Sequence, residues 1–348
     1  MDFNAFEKKA ESPLNGTPGP FRASACPLCR RSASTILYFS VDYNHKIPGR
    51  FRYVQCRHCG LVYENPRPVP GNLMALYPER YGNPGCLTQQ DLESKIDSAV
   101  IRKRAALVDS HGSGGTLFDI GCGSGFFLAY MQRRGWGVSG IEPAAEHVRF
   151  AQNRLGIKSI TQAQWPEGAG VDSPVQVVTL FHVIEHLLDP VKSIEKTREI
   201  LMPGGLLVVE TPNVGSLPAK LFGKRWVTLD APRHVNLFSA DTLRQCIHRA
   251  GFDTLELVTF SPSVMEYTES LRYLISDLGI RRYSRKPGTF ERNCSATVSA
   301  EHLPRKAMKG WLHTIEARFF ENINILADGL NHGCNLLLAA RKKSTPNS

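Results

Sequence analysis

Three groups of residues have types and spacing suited to chemistry. The first is Cys26-Pro-Leu-Cys29 together with Cys56-Arg-His-Cys59. A C-x-x-C turn sets two thiolates on one tight knuckle, and two knuckles complete a tetrahedral Zn site with four protein ligands. Nine cysteines in a chain whose first twenty residues lack an apolar signal core suit metal ligands and free thiols better than a disulfide framework. The second group is Asp119-Ile-Gly121-Cys-Gly123-Ser-Gly125, followed by Glu142. Glycines at alternate positions permit positive φ and remove the Cβ atoms that would keep a ligand from the backbone amides. A carboxylate at the tip of the next strand can accept hydrogen bonds from the vicinal hydroxyls of a ribose, so this pair of features predicts a nucleoside pocket. The third group is His182-Val-Ile-Glu185-His186, with His234 farther along. H-x-x-E-H is the pattern of inverted zinc metalloproteases. Here, however, it begins at the carboxyl end of the apolar run VQVVTLF and not inside a long helix, which argues against a protease.

These residues need elements to hold them. The apolar run ending in Asp119 reads as a strand, the glycines as a tight turn, and Phe126 onward as a helix. A second strand over 136–141 delivers Glu142 and Pro143. RFRYVQC from Arg50 reads as the strand entering the second cysteine knuckle. The 91–110 stretch has apolar residues at helical spacing and predicts one amphipathic helix leading into the first strand of the glycine-loop domain. Between the cysteine module and that helix, ENPRPVPGNLMALYPERYGNPG is too rich in Pro and Gly to form one regular element. After the fifth strand a loop of about twenty-five residues carries Trp226, Arg233 and His234, a length that suggests a functional loop. TLRQCIHRAGF reads as a helix, TLELVTF as a strand, and HGCNLLLAARKK from His332 as the last strand.

DIGCGSG, the GIEP ending the second strand, VQVVTLFHVIEHL and LMPGGLLVVETPN resemble, in order and spacing, the class I S-adenosylmethionine-dependent methyltransferases over about residues 100–260. The resemblance implies an α/β fold: a Rossmann-like seven-stranded sheet, here with a small N-terminal zinc-ribbon-like module and a helical insertion before the last strand. It implies that Asp119, Gly121, Gly123, Gly125 and Phe126 line the methionine part of the cofactor, that Glu142 and Pro143 hold the ribose end, that Trp165 lies near the adenine, and that Phe181 and His182 lie near the sulfonium. It also implies that the segment before the first strand caps the pocket, making Tyr77 and Tyr81 candidates for contacting substrate. The tryptophan followed by Asp-x-Pro-Arg-His narrows the resemblance to enzymes acting on sugars, polyketides or quinone-like rings, so Trp226 and Arg233 are substrate candidates. In this reading His186, Glu185 and His234 are the candidates for a general base, since methyl transfer to a hydroxyl requires alignment and removal of a proton.

The expected organisation is a disordered leader over 1–20, a zinc-ribbon-like module over 21–66, linker and cap helices over 67–110, a cofactor-binding domain over 111–260, a helical insertion over 261–331, and the last strand and tail over 332–348. With no export signal and no long apolar run, the expected location is the cytoplasm. The net charge of +10 admits nucleic acid as well as an acidic small molecule, but the positive charge is scattered and shows no aromatic-basic stripe. The expected activity is O-methylation of a small molecule. C-methylation of a sugar or ring, RNA methylation and a non-catalytic binding protein stay open as alternatives. The 261–331 insertion is expected either to close the substrate pocket or to make a homodimer contact.

Overall fold

The structure is a computed structural model and describes residues 21–78, 87–112, 114–167, 171, 173–279 and 318–343. Tyr81 and the basic middle of the insertion lie outside the described residues.

Seven strands form one sheet in the order Phe252–Phe260, Asn335–Lys342, Leu201–Pro212, Val175–Phe181, Thr116–Ile120, Gly137–Glu142 and Ile160–Gln162. The last five in that list pair in parallel, and Asn335–Lys342 is antiparallel to both of its neighbours. The central strands read as apolar runs because helices cover both faces of the sheet. Leu117, Val177 and Val208 belong to one buried cluster, and Phe118, Val178 and Leu207 to another. The parallel strands all present their carboxyl ends to one edge, where ligands bind in open α/β sheets. Asp119, Glu142, Phe181 and Glu210 stand at or near those ends.

The single helix expected over 91–110 is two helices, Gln89–Ile96 and Ala99–His111. Asp97 closes the first, while Ser98 adopts an extended conformation and its side chain accepts from the Ile101 amide, opening the second. A short polar side chain able to cap competes with helix continuation. Of the insertion, Met265–Asp277 is helical, as are residues 318–329. Among the described residues, no helix is long and apolar enough to cross a membrane.

The cysteine module is not a separate body. Its strands Ser34–Ser40, Phe51–Cys56 and Val62–Glu64 are extended by Asn236–Leu237 from the loop after the fifth strand, which pairs with Val62 and Tyr63. Cys26, Leu28, Val54, Cys56 and Tyr63 share a buried cluster with Leu180, Val209 and Leu338. A boundary at 66 therefore marks the chain but not the packing.

Candidate active site

Each glycine of the loop meets a different constraint. All three have positive φ, +70° at Gly121, +53° at Gly123 and +79° at Gly125. A Cβ on Gly121 would lie 2.6 Å from Val183 Cγ2 and one on Gly125 3.0 Å from Ala151 Cβ, whereas one on Gly123 would point into open space. Gly123 is thus the point at which a ligand can approach the backbone. Its N–H donates to Glu142 Oε2 at 2.9 Å, and the Ala144 N–H donates to Oε1 at 2.9 Å. The Glu142 carboxylate is oriented by these two bonds and keeps further lone pairs for a diol. Asp119 is buried, accepts from Thr179 Oγ1 at 2.6 Å, and is pushed up to about 7 by that burial. Phe126 packs edge-on against Phe150, and the Pro143 carbonyl accepts from Gln162. Trp165 is buried with its N–H on the Ser193 carbonyl at 2.9 Å, which anchors the indole against the Pro190–Ile200 helix.

The Val175–Phe181 strand stops because His182 takes a left-handed backbone conformation, φ +57°, before the short turn Ile184–His186. That conformation is costly for a residue with a Cβ. It places the imidazole between two carboxylates, with Nδ1 3.2 Å from Glu185 Oε1 and Nε2 2.9 Å from Glu210 Oε1. Burial opposes the charged ring, but the bonds to Glu185 and Glu210 prevail and hold His182 up at about 9. With both nitrogens committed and a proton on each, His182 is not the base. Arg104 donates to Glu210 at 2.6 and 3.1 Å and lies 4.4 Å from the Phe181 ring centroid, and Asn335 donates to Glu210 Oε1 at 2.7 Å. Burial works against the Glu210 charge, yet Arg104 and His182 hold it well below the ordinary carboxylate range. Sequence reading missed Arg104, Glu210 and Asn335. The ETPN that ends the fifth strand was the one available signal.

Glu185, His186 and His234 converge: one donor atom from each lies within 4.8 Å of the others. Burial would raise the Glu185 carboxyl, but His182, His186 and His234 hold it down at about 2. The two imidazoles meet edge to face with centroids 4.7 Å apart. His234 Nδ1 lies 2.7 Å from the Thr228 carbonyl, and His186 Nδ1 lies 3.0 Å from the Arg233 carbonyl. A carbonyl can only accept, so each Nδ1 carries a proton, which in the neutral ring leaves Nε2 as the acceptor. The Tyr77 hydroxyl stands 2.8 Å from His186 Nδ1. Burial and the neighbouring His234 push His186 down to about 4 from an ordinary 6.5. The unfolded chain therefore takes up this proton first as pH falls. Stability contributed above about pH 6.5 is lost on the way down to about pH 4. His186→Gln should flatten that part of a melting-temperature against pH curve, and an unaltered acid slope would remove the assignment.

Two candidate substrate residues are corrected by their surroundings. Arg233 is fully buried and engages all its donors within the chain, on Asp42, Asp230 and the Leu76 carbonyl, leaving none for a substrate. Trp226 is buried and donates its N–H to Glu266 at 2.6 Å. Both side chains are buried and hydrogen-bonded within the chain.

At the cysteine knuckles, Cys26 and Cys59 Sγ are 3.5 Å apart, as are Cys29 and Cys56 Sγ, and all four sulfurs lie within 4.8 Å. Four thiolates about 2.3 Å from one ion make a tetrahedron with edges of about 3.8 Å, so the donor set fits. The His58 amide points at Cys56 Sγ at 3.4 Å, and Arg30 and Gly60 supply the positive-φ residue after each knuckle.

A family model described as a methyltransferase domain matches residues 92–257. A ubiquinone biosynthesis O-methyltransferase of Cereibacter sphaeroides is 31% identical over 172 residues, covering 45% of this chain and 69% of that protein. A probable S-adenosylmethionine-dependent methyltransferase of Mycolicibacterium smegmatis is 31% identical over 144 residues, covering 40% of this chain and 53% of its own length. The crystal structure of a SAM-dependent methyltransferase from Archaeoglobus fulgidus aligns with a TM-score of 0.45 at 16% identity, covering 72% of this chain and 97% of the other.

Proposed function

Because the chain belongs to the S-adenosylmethionine-dependent methyltransferases, we propose that it methylates a hydroxyl of a small molecule, with His234 as the general base. The cofactor supplies a methyl group on a positively charged sulfur. The protein aligns the acceptor and removes its proton. The observation that carries the base assignment is the His234 Nδ1 contact to the Thr228 carbonyl, which fixes the tautomer with Nε2 free. As the acceptor oxygen takes the methyl group that the cofactor would supply, His234 Nε2 would receive the hydroxyl proton. The nearby Glu185 carboxylate favours the resulting imidazolium. His186, held neutral, orders Tyr77 and the loop around it.

Gly123 and Glu142 supply the cradle for the cofactor's amino-acid and ribose parts, with Phe181 at the strand end nearest the reacting centre. Tyr77 is proposed to touch the acceptor. The relative's name, a ubiquinone biosynthesis O-methyltransferase, supports an O-methylated small molecule as product. The four cysteines are proposed to hold a structural Zn.

Glu142→Ala should weaken S-adenosylmethionine binding by about 10- to 100-fold, the loss of two hydrogen bonds to a charged acceptor, and calorimetry reads it directly. An unchanged dissociation constant would remove Glu142 from the ribose. For the acceptor, methyl-labelled cofactor is offered with polyphenols, nucleotide sugars and transfer RNA. Label in an ether of a small molecule is expected, and label in RNA alone would overturn the proposal.

A further inference from the structure

Arg233 ties together segments distant in sequence. Nε donates to Asp230 Oδ2 at 2.9 Å, Nη1 to Asp42 Oδ2 at 2.9 Å and the Leu76 carbonyl at 3.3 Å, and Nη2 to Asp42 Oδ1 at 2.9 Å and Asp230 Oδ1 at 2.7 Å. The Asp42 carboxylate arrives already oriented. In the turn between Ser34–Ser40 and Phe51–Cys56, it accepts the amides of Asn44 at 3.0 Å, His45 at 2.8 Å and Ile47 at 3.2 Å. Asn44 in turn donates to Asp230 Oδ1 at 2.5 Å. The groups assigned to catalysis hang from what this guanidinium holds. His234 follows Arg233 in the chain, His186 Nδ1 donates to the Arg233 carbonyl, and Leu76 precedes Tyr77.

We propose that Asp42 of the cysteine module is a positioning residue for the His234–His186 pair, acting through Arg233. The inference rests on the base assignment above. A buried guanidinium with two opposing carboxylates is fixed in plane and in rotation. With one of them gone it keeps its charge but loses half of its bidentate hold, and the loop bearing His234 loses one of its ties to the N-terminal module, the Asn236–Leu237 pairing remaining. The active site is then complete only with the cysteine module docked.

The charged and titratable groups around the pair are Glu185 with His182 behind it, Tyr77 from the cap, Asp230 and Arg233 from the loop, and Asp42 behind Arg233. Asp42→Asn keeps an acceptor oxygen for the turn and removes one negative charge. The Arg233 guanidinium then keeps a single carboxylate partner, and its plane is held from one side only.

The test uses the full chain with 13C,15N-labelled histidine, saturated with S-adenosylhomocysteine, followed by NMR across pH. In the wild type, the His234 nitrogen shifts should report the Nδ1–H tautomer. An Nε2–H tautomer there would overturn the base assignment itself. In Asp42→Asn, the His186 Nδ1–H resonance should broaden, while S-adenosylhomocysteine still binds as in the wild type. That resonance intact, beside a wild-type Nδ1–H tautomer at His234, would overturn the inference alone. Should Asp42→Asn fail to bind S-adenosylhomocysteine, Asp42→Glu replaces it, keeping the charge but displacing it by one methylene. That variant is expected to lose the His186 Nδ1–H resonance, and its persistence would overturn the inference.

Discussion

His234→Ala is expected to lower kcat by about 10²- to 10⁴-fold while leaving the affinity for S-adenosylmethionine unchanged. The magnitude follows from what general-base catalysis contributes. The selectivity follows from the fold: the proposed cofactor cradle comprises the loop at Gly121–Gly125 and Glu142, whereas His234 comes from the loop after the fifth strand. His186→Gln should cost less. His186 already sits at about 4, held neutral by burial and by His234, so it is a poor proton acceptor at neutral pH and its loss mainly disturbs Tyr77. A measurement of kcat and of cofactor Kd on the two variants decides the roles. Equal small losses in both would remove histidine from the proton transfer.

Cys56→Ser, or stripping the metal with a chelator, should destabilise the whole chain and not the N-terminal module alone. From the sequence, two knuckles on a short hairpin suggest a self-contained unit. The structure couples them to the sheet domain in four ways. Asn236–Leu237 completes the module's sheet, and Cys26 and Cys56 lie in the cluster that contains Leu180 and Val209. Arg30 on the first knuckle pairs with Asp189 at 2.7 Å, at the start of the Pro190–Ile200 helix. Gln245 of the Ala240–Arg249 helix reaches the Cys59 carbonyl at 3.5 Å. Structural Zn contributes folding free energy on the order of 10 kcal/mol in isolated fingers. Loss of even a third of that would lower the melting temperature by about 5 °C in a chain of this size. One cooperative transition at lower temperature is the expected melt. Two transitions, with the second at the wild-type temperature, would show that the module unfolds by itself.

The sheet, its glycine loop and its last antiparallel strand were legible because apolar runs of strand length alternate with helical periods, and because the three positive-φ glycines answer a local problem of backbone geometry. The four cysteines were legible for the same reason: ligand spacing is local. What escaped is non-local. Nothing about Asp42 or Leu76 in the sequence points to Arg233, which looks like a substrate arginine until its five donors are traced to partners as far as 191 residues away. Trp226 resembled a pocket aromatic for the same reason, although it supports the Met265–Asp277 helix through Glu266. The break at Asp97-Ser98 was invisible to periodicity because the apolar spacing runs through it, and a capping side chain decided the outcome. Arg104, Glu210 and Asn335 come from three separated elements and meet only because the sheet order places them side by side.

If His234 is the base, its Nε2 faces the reacting methyl group. A crystal structure with S-adenosylhomocysteine tests it most directly, because the sulfur marks where that methyl departs. An acceptor oxygen sits about 3 to 3.5 Å from the carbon it attacks and within about 3 Å of its base. The His234 Nε2 should therefore lie about 6 to 8 Å from the sulfur, across an open cavity, with Phe181 beside it and Tyr77 on the far wall. A sulfur from which His234 is screened by protein, or a His234 ring whose Nε2 is bonded to the chain, would contradict the account.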